Sequence, residues 1–198
     1  MARKTQISKE VILDAALKML IRDGYSAINI KTLSKEIGCS TQPLVWHFEN
    51  MDGLRKALAD YALMYANKKM GSSSSDGSIT IFEQVGRTYI NMALNEPNLF
   101  QFVFLNGSGC YPKGNAEMLT KDADHAELVE MIANEFQISE QNAGKYLQNT
   151  IIYTHGLATF IATGMMCLSE EEIMTLINQA GRNFLIQVGV PLDKAGEK

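Results

Sequence analysis

Long apolar runs are missing from this chain of 198 residues: nowhere do about 18 apolar residues follow one another, so no membrane-spanning helix is expected. The opening Met1-Ala2-Arg3-Lys4-Thr5-Gln6 lacks the apolar core of a signal peptide, which leads to a cytoplasmic expectation. Cysteine is scarce. Cys39, Cys110 and Cys167 are odd in number, far apart and without any Cys-x-x-Cys pair, which excludes a disulfide framework and a zinc site and leaves reduced thiols. Catalytic signatures are also absent: there is no Gly-x-Ser-x-Gly elbow, no phosphate-cradling glycine loop and no His-Glu-x-x-His. Cys39 and His47 are the nearest approach to a reactive pair, and His125 with Asp122, Asp124 and Glu127 has metal-binding residue types without metal spacing. No enzyme activity, cofactor or metal is therefore expected.

An excess of positive charge is lacking as well, since 18 Lys/Arg face 22 Asp/Glu for a net charge of −4. The total hides a division. Residues 1–70 carry eleven Lys/Arg against seven Asp/Glu, a net +4, and the remainder is −8. Close-range potential follows local charge, so this is the asymmetry of a phosphate-binding head on an acidic body.

What the chain does have is 46% hydrophobic residues in helical period, with no two-residue alternation, and the fold class read from it is all-α. Ser8 caps a first helix with Val11, Ile12, Ala15, Ala16, Met19 and Leu20 inward, ending at Asp23-Gly24. A second starts near Ile30, holds Leu33 and Ile37 inward and stops at Gly38. Ser40 then caps a short helix, Thr41-Gln42-Pro43-Leu44-Val45-Trp46-His47-Phe48, with Pro43 tolerated in the first turn. At about 100° per residue, Leu44 and Phe48 share one face and Gln42 and Trp46 lie nearly opposite. The sole tryptophan thus points outward from a helix too short to be a core element, where a contact with a partner is the natural explanation.

A longer helix runs from about Met51 through Leu54, Leu58, Tyr61, Ala62 and Tyr65 to Met70, and the small polar run at 71–78 reads as a flexible linker. Ile79–Asn95 is amphipathic and halts before Pro97. A buried helix over 98–105, a loop at 106–114 and a polar helix over 115–136 follow. The long helix from Ser139 to about Met166 would span on the order of 40 Å. The last, from Ser169 to about Val188, opens on Glu170-Glu171-Glu172, favourable for its dipole. The second half of the long helix is apolar all round and the last carries an apolar stripe. Leu157, Ile161, Ile173, Leu176, Ile177, Ala180 and Phe184 are therefore expected to pair with a second copy of the chain in a four-helix dimer interface.

Helix, glycine turn and short outward-facing helix form the spacing of a helix-turn-helix, whose second helix lies in the major groove. Gln42 suits adenine, Thr41 and His47 suit phosphate or base, and Pro43 and Val45 suit thymine methyls. A helical adaptor that uses Trp46 to anchor another protein is the alternative reading of the same residues.

Ala15-Ala16-Leu17, Gly24-Tyr25, Ile37-Gly38-Cys39-Ser40, Leu44, Trp46-His47-Phe48-Glu49-Asn50 and Leu54 resemble the N-terminal domain of the tetracycline-repressor (TetR) family, over about residues 5–65. Beyond it the likeness is that of an all-helical chain, with Tyr153-Thr154-His155-Gly156 similar to a His-Gly pair that some members carry in their dimer-forming helices. The resemblance implies a homodimeric repressor that leaves a palindromic operator when a small, partly apolar effector binds the C-terminal domain. It divides the chain into a helix-turn-helix DNA-binding domain at 1–50, a connecting helix at 51–70, a linker at 71–78 and a helical effector-binding and dimerisation domain at 79–198. It implies DNA contacts from Lys31, Thr41, Gln42, Pro43, Val45, Trp46 and His47. The chain departs from it at Val45 and Met51, where many members carry tyrosine and lysine, and Gln42-Pro43 stand one residue nearer Trp46. Arg3 and Lys4, or Arg55 and Lys56, would offset the two missing phosphate anchors. Tyr89, Met92, Phe100, Phe102, Phe104, Met118 and Met131 line either an effector pocket or a plain core. His155 reads as an interior or interface histidine, or as an effector contact.

Overall fold

Local signals set the first three helices. Ser8 caps α1 (Lys9–Asp23) by accepting from the Val11 N–H at 3.3 Å, and Asn29 opens α2 (Ile30–Ile37) in a capping box with Thr32. Gly38 ends α2 in the left-handed conformation, φ +75°, where an L side chain would be strained. α3 spans Gln42–Phe48. Its N-cap is Thr41 in helical geometry with no side-chain cap bond, so the expected Ser40 cap does not form. The computed structural model describes residues 7–71, 79–105, 123–193 and 195, with side chains from residue 84 in the second stretch and from 125 in the third. Arg3, Lys4, the linker from 72, the 106–114 loop with Cys110, Met118, Asp122 and the Asp124 side chain lie outside the described residues.

The remaining elements are α4 (Met51–Gly71), α5 (Ile79–Asn95), α6 (Pro97–Phe100) with a π-helical turn at Gln101–Leu105, α7 (Ala123–Phe136), α8 (Glu140–Ala162) and α9 (Glu170–Gln187). The described residues contain no strand, and the chain is all-α. α8 stops four residues earlier than expected because Gly164, at φ +73°, turns the chain and the Met165 and Met166 N–H groups fold back onto the Phe160 carbonyl. The helix expected at 98–105 is instead one α turn followed by the π turn.

Contacts gather these elements into two compact units. The first holds the described residues up to Lys69 together with 95–105, so the chain returns to its N-terminal unit after α5 rather than leaving it for good at the serine run. Ile12, Leu20, Leu33, Leu44, Leu54 and Leu58 are almost wholly buried there, each worth about 1.5–3 kcal/mol. The stripe of α1 is rotated from expectation: Leu13 and Leu17 are buried and Val11 is exposed. The returning segment is bound by chemistry as well as burial. The Asn98 Nδ2 donates to the Ile21 carbonyl at 3.2 Å, Tyr25 stacks on Phe102 with ring centroids 5.0 Å apart, and Phe100 packs against Phe104. Glu96 Oε1 accepts from Tyr65 at 3.1 Å and from the Lys69 ammonium at 2.6 Å, tying the segment to the end of α4.

The second unit centres on Ile132, Ala143, Tyr146, Leu147, Leu185 and Val190, where α7, α8 and α9 meet. Ser169 and Glu172 form the capping box that starts α9, and Asn142 Nδ2 donates to the Val188 carbonyl at its end. No described helix is long and apolar enough to cross a membrane.

Candidate nucleic-acid interface

Seven residues make too short a helix to hold its own direction, so tertiary contacts must aim α3. Leu44 and Phe48 plug one face into the core, at 1% and 5% exposure, and the Lys9 ammonium lies 5.7 Å from the Phe48 ring centroid. The opposite face is bare: Trp46 is 65% exposed and Val45 46%, with Thr41 and Gln42 exposed and Pro43 partly so. The end is fixed by Glu49 in the unusual φ +63° conformation, by Asn50 donating its N–H to the Phe48 carbonyl at 2.7 Å, and by Asn50 Oδ1 capping α4 through Asp52 and Gly53. A Cβ on Gly53 would lie 2.1 Å from the Phe48 oxygen, so only glycine allows α3 and α4 to meet this closely.

Lys31 is exposed in the first turn of α2, its N–H held by Asn29. Arg22 pairs with Glu36 at 3.1 Å, joining α1 to α2. These pairs are solvent-exposed and contribute little to stability, but they fix which cations remain available for phosphate. Arg55 is not among them in the expected way: its guanidinium lies over the Tyr25 ring at 5.2 Å. His47 departs further. Its Nε2 is 2.9 Å from the Ile7 carbonyl, and the ring stands edge-on to Trp46 at 4.6 Å between centroids. Since a carbonyl only accepts, Nε2 donates. The bond joins residues 40 positions apart, which no local pattern in the sequence reveals.

Residues 12–58 match the family model of bacterial regulatory proteins, tetR family. The helix-turn-helix region of the chain is thus of the tetR-family type. It is also similar to an uncharacterised HTH-type transcriptional regulator of Mycobacterium tuberculosis, 25% identical over 92 residues, which is 44% of this chain and 42% of that protein. The match to that relative thus spans less than half its length. The matched stretch runs from the first turn of α1 to Leu58 in α4, enclosing the whole α2–α3 corner.

The expected effector residues fall in both units. Phe100 and Phe104 are buried in the first unit, whereas Tyr89, Met92, Met131 and His155 belong to the second. Of these, Tyr89 and His155 are brought together from α5 and α8, the tyrosine hydroxyl and Nδ1 sharing a hydrogen bond of 2.7 Å. An open groove of the second unit is lined by other residues, Arg87, Glu170, Glu171, Met174, Thr175 and Asn178.

The expected interface set is divided as well. Leu157, Ile161 and Ile173 are buried within the chain, while Leu176, Ile177, Ala180 and Phe184 keep partial exposure. Ile152 and Phe160, eight residues apart on α8, are the large apolar side chains left outward, at 49% and 42%.

Burial holds the His155 imidazole below the ordinary histidine range. The unfolded chain therefore takes up the proton first as pH falls below about 6.5, and stability that is full above this value declines through the window beneath it. Urea unfolding at about pH 7.5 and about pH 5.5 is expected to show a smaller acid loss for His155→Gln than for the natural protein. Equal losses would show that the imidazole is not the group responsible.

Proposed function

We propose that this protein is a TetR-family transcriptional regulator, acting as a repressor, that binds a palindromic DNA operator as a homodimer and is released by a small-molecule effector. The observation that carries the reading is the outward Trp46 on a helix whose other face is locked into a helix-turn-helix corner. A side chain of this size left bare costs hydration unless a partner covers it, and the surrounding unit has a net positive charge. α3 enters the major groove, Gln42 and Trp46 reach base edges, Pro43 and Val45 meet thymine methyls, and Thr41 and Lys31 hold phosphates.

The dimer forms through the outward side of α8 and α9, with Ile152 and Phe160 beside Leu176, Ile177, Ala180 and Phe184; the buried Leu157, Ile161 and Ile173 support this face from within. The effector binds in the second unit, where the Tyr89–His155 pair offers a polar anchor. It shifts the operator equilibrium only to the extent that it prefers the form whose heads do not fit two half-sites.

Selection of bound duplexes from a random pool, followed by titration of the winning sequence, tests this. For about four phosphate contacts per dimer, raising salt fourfold is expected to weaken binding roughly a hundredfold. A shallow salt dependence, or no enriched sequence at all, would reject the DNA-binding reading.

A further inference from the structure

We propose that His47 is a positioning residue rather than a reader of DNA: its Nε2–H bond to the Ile7 carbonyl clamps the DNA-facing helix to the start of α1 and so sets the direction of Trp46. The inference rests on the reading of α3 as the DNA-facing helix and assigns His47 a role within it.

Three observations carry it. Nε2 is committed at 2.9 Å to an acceptor that has no proton to offer, which fixes the neutral ring in the Nε2–H tautomer. In that tautomer Nδ1 carries a lone pair and offers a phosphate oxygen no donor. The ring is partly buried and meets the Trp46 indole edge-on at 4.6 Å, with the Phe48 ring centroid 6.1 Å away. Finally, α3 is held on its core side by Leu44 and Phe48, which lie four residues apart along one line. Two contacts on one line restrain translation but leave roll about the helix axis poorly defined. His47 adds a third tether off that line, reaching from α3 to the residue just before the Ser8 cap.

Two amide side chains separate the ring nitrogens. Glutamine places its donor near the position of Nε2, and asparagine near that of Nδ1. His47→Gln is expected to keep operator affinity, whereas His47→Asn and His47→Ala each lose about tenfold, the worth of one hydrogen bond with its tether. All three are expected to select the same sequence from a random pool, because a lost tether weakens every base contact together. Retention by asparagine with loss by glutamine, or a changed preference at one base position, overturns the proposal.

Nitrogen-15 spectra of the three histidines in the free, full-length protein give a readout that needs no DNA. His47 is expected as the Nε2–H tautomer, and assignment as Nδ1–H overturns the clamp. If the natural protein enriches no sequence yet His47 shows the Nε2–H tautomer, the DNA-binding reading has failed and the tether stands as a feature of the corner alone.

Discussion

Replacing Trp46 with alanine is expected to abolish specific operator binding while leaving folding and dimerisation untouched. Truncating a central aromatic anchor costs about 2 kcal/mol or more per contact surface. Two heads on one operator double this, and at about 1.4 kcal/mol per factor of ten the loss is on the order of a thousandfold. Stability should follow only weakly, because the residue is 65% exposed. The core side of α3 is carried by Leu44 and Phe48 instead. Titration of the selected duplex, with size-exclusion and thermal melting of the same sample, separates the two effects. Unchanged affinity would remove α3 from the interface, and a markedly lowered melting temperature would show that the indole is structural.

The second large effect is expected at a residue that makes no partner contact. Alanine is favoured over glycine inside a helix by about 1 kcal/mol, so Gly53→Ala judged by propensity alone would stabilise α4. The geometry reverses the sign. The added methyl would sit 2.1 Å from the Phe48 backbone oxygen, a rigid atom already receiving the Asn50 N–H. One helix end must therefore move, at a cost of about 2–3 kcal/mol as in overpacked cores. Because the atom displaced belongs to the last residue of α3, affinity is expected to fall beyond what the stability loss explains. A melting temperature equal to or above that of the natural protein would show that the junction yields at no cost.

Features written in adjacent residues were legible without coordinates. The Ser8 cap, the Gly38 stop and the outward set of Gln42 and Trp46 follow from short-range periodicity and turn chemistry, and the structure keeps all three. The Ser40 cap failed because Thr41 takes helical geometry and the helix begins one residue later than the hydroxyl suggested. Long-range pairings left no such trace. Nothing near His47 announces Ile7, nothing near Arg55 announces the Tyr25 ring, and Glu96 gives no hint of Tyr65 and Lys69. The apolar stripes of α8 and α9 show the same limit differently. Period identifies that Leu157, Ile161 and Ile173 are covered, but not by what, and they are already buried within the single chain.

The return of residues 95–105 to the N-terminal unit bears on how such a protein can be cut and recombined. A fragment ending near residue 70 would carry the entire helix-turn-helix corner yet leave Tyr25, the Ile21 carbonyl and the Lys69 ammonium without Phe102, Asn98 and Glu96. Grafting that fragment onto a foreign effector domain would therefore transplant a head with an open seam. A chimera that keeps the native 95–105 segment with its own head, joining the foreign sequence on either side of it, preserves the seam and is the arrangement to build.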